Sequence, residues 1–80
     1  MTQIEHLKLG FLHSIFYGVG MVESKVNEYF GKYHSEVKDI KGNSFVLQMT
    51  NILTDEVTSY QFTHTPTTDN FHKIIEIAPI

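Results

Sequence analysis

Apolar periodicity changes once along this chain, near residue 34, and that change fixes the class of fold open to it. Before it, Ile4, Leu7, Phe11, Ile15, Val19, Val22, Val26, Tyr29 and Tyr33 recur every three or four residues, the spacing of one helical face. After it, apolar and polar residues alternate, as in strands with one buried face. A helical block followed by a strand block predicts an α+β domain, with one long N-terminal helix packed on a four-stranded antiparallel β-meander. At 80 residues the chain reads as a single domain, residues 1–80, and a domain this small is marginal alone.

The helix is predicted over about residues 3–30. Thr2 and Glu5 form a capping box at its start, and Gly31 offers a stop. Its second half is plainly amphipathic, with Glu23, Ser24, Asn27, Glu28 and Lys32 turned away from Val22, Val26 and Tyr29. Its first half is not. Leu9, Leu12 and Phe16 widen the apolar arc to roughly 200°, against the roughly 100° a surface helix needs. Gly10, Ser14 and Gly18 form a row of small residues continued by Met21, spacing that lets another backbone approach. Together Leu9, Gly10, Leu12, Ser14, Phe16, Gly18 and Met21 predict a self-association surface and hence a homodimer. The alternative is a kink or break at Gly18-Val19-Gly20, since each glycine costs about 1 kcal/mol in a helix interior.

Strands are predicted over about residues 35–41, 44–52, 56–65 and 71–78, with turns at Gly42-Asn43, Thr54-Asp55 and Pro66–Asn70. Pairing about Thr54-Asp55 sets Phe45, Leu47 and Met49 opposite His64, Phe62 and Tyr60 on the core face. The last strand is expected to add Phe71, Ile75 and Ile77 there, leaving His72 and Glu76 outside. The first strand is expected at the sheet edge. The outer face carries Gln48, Thr50, Ser59, Gln61 and Thr63, with Val46, Ile52, Val57 and Ile74. So little charge over that area marks it as the candidate partner-binding face.

Charge and composition remove several function classes. The formal charge is −3, and all six basic residues are dispersed lysines. Without arginine forks or a basic patch, nucleic-acid binding is not expected. The charge-free run Leu9–Val22 spans 14 residues, short of the about 20 a membrane helix needs. No Ala-x-Ala-like cleavage site follows it, so the reading is cytoplasmic, with no membrane association. The absence of cysteine rules out a disulfide scaffold and thiol chemistry.

Catalytic chemistry finds no setting. Ser14 follows His13 and Ser35 follows His34, but no nucleophile-elbow or serine–lysine motif surrounds either. Gly18-Val19-Gly20 lacks the rest of a phosphate loop. His64 and His72 flank a turn containing Asp69, a legitimate metal shell by type. The expected register sends the two histidines to opposite faces, so no metal and no cofactor are predicted. His6 and His13 lie two helical turns apart, where an antiparallel helix dimer would make assembly pH-sensitive. The expectation is therefore a non-catalytic protein–protein interaction module acting by steric binding. A small inhibitor or adaptor, such as one encoded by a phage or mobile element, is of this kind; its protein partner is unidentified. The alternative is a small-ligand-binding domain with a pocket between helix and sheet, lined by Phe16, Tyr29, Tyr60 and Phe62, with His64 as its polar group.

Overall fold

The computed structural model describes all 80 residues, Met1–Ile80. In chain order the elements are α1 (Gln3–Phe11), β1 (Ile15–Phe16), α2 (Val19–Tyr29), β2 (Tyr33–Lys38), β3 (Ser44–Asn51), β4 (Val57–Pro66) and β5 (His72–Pro79). The strands form one antiparallel sheet in the order β1-β5-β4-β3-β2. The α+β class stands. The single helix over residues 3–30 and the four-stranded sheet do not: there are two helices and five strands.

The start of α1 follows its sequence signal. The Glu5 N–H donates to Thr2 Oγ1 and the Thr2 N–H to Glu5 Oε1, closing the capping box. The helix then stops at Phe11. Leu12 is extended, and His13 takes a left-handed φ of 67°, a conformation in which histidine is enriched. The reason for the break lies in two phenylalanines. Phe11 and Phe16 are both buried, yet five helical residues would turn them ~140° apart. A straight helix cannot aim both at one sheet. The break lets the chain cross as β1, so that Phe16 enters the core from the sheet edge. Gly18 then starts α2 without a side-chain cap.

One apolar cluster holds the layers together. Leu7 and Phe11 of α1, Val22 and Val26 of α2, and Phe16 of β1 meet Phe45, Leu47, Met49, Tyr60, Phe62, Ile74 and Ile77 of the sheet. Phe62 stacks on Phe45 with ring centres 5.1 Å apart and meets the edge of Phe11 at 6.4 Å. The Tyr60 hydroxyl donates to Gln3 Oε1 at 2.6 Å, tying the first turn of α1 to β4.

The β3–β4 register differs from expectation by two residues: Phe45 pairs with Phe62, Leu47 with Tyr60 and Met49 with Thr58. The turn sits further toward β3 than Thr54-Asp55. Asn51 Oδ1 accepts the Leu53 and Thr54 N–H groups, and the Asp55 N–H reaches the Asn51 carbonyl. This Asx turn overrides the simpler two-residue reading. A shift of two keeps every side chain on its face, so the core of both strands survives the change.

The β4–β5 pairing does not preserve faces. Thr63 pairs with Glu76, but the next pair is His64 with Ile74. Ile75 is the extra residue of a β-bulge. Beyond it the alternation reverses: Ile74 is fully buried, whereas Ile75 is 46% and Phe71 39% exposed. The expected core assignment of Ile75 and Phe71 is therefore corrected, and His72 comes to the same side as His64. Ile74→Ala is expected to lower the unfolding free energy by about 2–4 kcal/mol, and Ile75→Ala by less than ~1 kcal/mol. Urea denaturation reads both, and equal losses would contradict the bulge.

Candidate functional site

The two edges of the sheet are treated in opposite ways. At the β2 edge the outward N–H groups belong to Tyr33, Ser35 and Val37, since the β3 pairing uses the alternate residues. All three are taken. The Tyr33 N–H donates to the Phe30 carbonyl at 2.9 Å, the Ser35 N–H to Asn27 Oδ1 at 2.9 Å and the Val37 N–H to Glu23 Oε2 at 2.8 Å. The geometry explains the match. Glu23 and Asn27 lie one helical turn apart, ~6 Å along α2. Ser35 and Val37 lie two strand residues apart, ~6.6 Å along β2. Glu23 and Asn27, which the sequence sets off the apolar face of the helix, are the acceptors that close this edge to another strand.

At the opposite edge β1 is open. The Ile74 N–H donates to the Ser14 carbonyl at 2.9 Å, and the His13 N–H to the Ile74 carbonyl at 2.7 Å. The Ser14 and Phe16 backbone positions thus face β5, and the Ile15 N–H and C=O face outward. The Tyr17 N–H meets only the Met21 sulfur at 3.4 Å, a weak acceptor. Beside this edge lies a groove of about 330 Å³ between the end of α1, β1 and α2. Phe11, Ile15, Phe16, Met21 and Tyr29 supply its apolar wall, and Lys25 is its charged residue. Ile15 is 60% and Tyr17 64% exposed, so apolar surface and unpaired backbone coincide.

The residues expected to self-associate are scattered by the break in the helix. Phe16 is buried in its own core, and Gly10 lies against the Tyr29 ring, where an added Cβ would sit 3.7 Å away. Gly18 faces open space. Gly10, Ser14 and Gly18 share no helical face, because α1 ends at Phe11. Leu9 and Met21 remain exposed, and Leu12 is half-buried. His13 is likewise off the helix, so no helical row joins it to His6. Gln48, Thr50, Ser59, Gln61 and Thr63 do share the outer face of β3 and β4. Tyr60, Phe62 and His64, expected to line a pocket, are packed in the core, while Phe16 and Tyr29 border the groove beside β1.

His64 and His72, expected on opposite faces, are brought together by the bulge. His64 Nδ1 and His72 Nδ1 stand 2.9 Å apart, and Phe16 packs against both rings. Burial first, and His72 second, hold the His64 imidazole below its ordinary pKa. No group of three His, Asp or Glu side chains comes together to hold a metal. No helix is long and apolar enough to cross a membrane. No protein-family model, no curated protein and no solved structure matches this chain.

The closed edge makes its own prediction. Asn27→Ala strands the Ser35 N–H at a part-buried site and is expected to cost about 1–2 kcal/mol. Asn27→Asp, which keeps an acceptor, is expected to stay near wild type. Urea midpoints compare the two, and a neutral Asn27→Ala would contradict the edge-closing role.

Proposed function

We propose that this chain is a non-catalytic protein–protein interaction module that pairs with a second copy of itself along the β1 edge. The contrast between the two sheet edges carries this reading. One edge has all three outward N–H groups satisfied within the chain. The other leaves the Ile15 backbone unpaired beside exposed Ile15, Tyr17 and Met21. Antiparallel addition of two β1 strands would satisfy that backbone and bury those side chains. Each copy would present the same patch to the other, as two-fold pairing requires. The outer face with Gln48, Thr50, Ser59, Gln61 and Thr63 stays free in such a dimer. A further protein bound there would be blocked sterically, the mode of action of a small adaptor or inhibitor.

Ile15→Lys tests the reading without touching the core, because the side chain is already largely exposed and an edge lysine opposes strand addition. Sedimentation at micromolar concentration is expected to give a dimer for the wild type and a folded monomer for the variant. A monomeric wild type, or an unchanged dimer in the variant, would overturn it.

The groove supports a second reading, a site for a small apolar carboxylate. Its volume, about 330 Å³, lies at the low end of ligand pockets, ~300–1,000 Å³, and Lys25 supplies the counter-charge. Octanoate is then expected to shift the amide resonances of Gly10, Ile15 and Met21, and Lys25→Met to abolish the effect. Unchanged spectra at millimolar octanoate would remove this reading.

A further inference from the structure

His64 is 5% exposed, and its Nε2 has no hydrogen-bond partner. The only polar contact of the His64 ring is Nδ1 to Nδ1 with the half-buried His72. Two such nitrogens at 2.9 Å share one proton between them, one donating and the other accepting. Orphaned buried N–H groups are rarer in folded proteins than under-satisfied acceptors. The tautomer in which His64 Nδ1–H donates to His72 Nδ1 leaves no orphaned N–H at His64 Nε2, and it is the one the latch requires. Added protons find no good place. On His64 Nε2 the charge enters an apolar site walled by Phe16 and Phe45. On His72 Nδ1 it sets two N–H groups against each other.

We propose that this pair is a pH-sensitive latch on β1: neutral, it clamps Phe16 and holds the edge strand to the sheet; protonated, it lets that strand go. Phe16 meets the edge of His64 with ring centres 5.2 Å apart and stacks on His72 at 5.8 Å. Only the pairs Ile15–Lys73 and Phe16–His72 join β1 itself to the sheet, with the His13 and Ile74 N–H bonds just before it. A strand held by so few bonds opens before the longer β3–β4 ladder does. The aromatic rings packed against the pair are Phe16 of β1 and Phe45 of β3, neither of which titrates. Lys73 follows on the opposite face of β5, and Asp69 lies in the loop joining the two strands. After burial, His72 is the one other titratable group that acts on His64.

The direction of the response follows from linkage. Because His64 is held below its ordinary value of 6.5, the folded chain binds fewer protons than the unfolded one. The stabilisation is complete above that value and is lost as the pH falls through the lowered one. The latch belongs to the free chain and does not depend on what docks at the open edge. Its failure and that of the dimer are thus distinguished by working at a dilution where no dimer is present.

The test follows the ¹⁵N-labelled chain by NMR from about pH 7.5 to about pH 5, the range of histidine titration. Protection of the Ile74 amide, corrected for intrinsic exchange, is expected to fall at least about tenfold, with that of Leu47 holding within about twofold. Ring contacts between Phe16 and His72 are expected to disappear with it. In His64→Phe the response is expected to vanish, while His13→Asn, which suits the same left-handed backbone, retains it. Should His64→Phe fail to fold, imidazole ¹⁵N shifts of the wild type decide. Loss of Ile74 protection must track His64 and His72 rather than His6, His13 or His34. Parallel loss at Ile74 and Leu47, or a response that follows another histidine, overturns the latch.

Discussion

Burial of Phe16 against Phe45, His64 and His72 is the contact on which the rest of the arrangement depends. It demands that the chain leave the helix after Phe11, because no straight helix points Phe11 and Phe16 the same way. It makes residues Ile15–Phe16 a fifth strand and puts the start of α2 beside that strand. It also uses the bulge at Ile75, which brings His72 to the core side, where Phe16 stacks on it. Helix break, edge strand, bulge and histidine pair are four consequences of seating one aromatic ring.

From the same placement comes the asymmetry of the sheet. With α2 running beside β2, an acceptor pair one turn apart meets a donor pair two residues apart, and that edge is closed. At the β1 edge α2 offers only the Met21 sulfur, to the Tyr17 N–H. Exposed Ile15, Tyr17 and Met21 line the side on which unpaired backbone remains. The chain closes one edge fully and leaves the other bare beside apolar surface, and the proposed dimer rests on that asymmetry.

How much of this was legible in the sequence varies by element and for physical reasons. The capping box at Thr2 and Glu5, the α+β class and the inward faces of β3 and β4 follow from local pattern, and the structure has them. The break after Phe11 was harder to see. Ile15, Val19 and Val22 continue the helical period, and only Gly10, Gly18 and Gly20 argue locally against it. The bulge leaves a trace in the adjacent pair Ile74-Ile75, which strict alternation cannot bury together; an inward Ile75 implies an outward His72, and the bulge reverses both. The edge-closing roles of Glu23 and Asn27 had no local signal, because they depend on which strand α2 runs beside. The candidate site was less legible than the fold. It consists of an open edge and a two-histidine contact, and both arise from tertiary placement.

The most direct test of the edge asymmetry is site-resolved amide hydrogen exchange as a function of protein concentration at neutral pH. The account predicts that the Ser35 and Val37 amides are protected at every concentration although they lie at a sheet edge. It predicts that the Ile15 amide exchanges freely in the dilute chain and gains protection as concentration rises. Rapid exchange at Ser35 and Val37, or an Ile15 amide whose protection is independent of concentration, would contradict it.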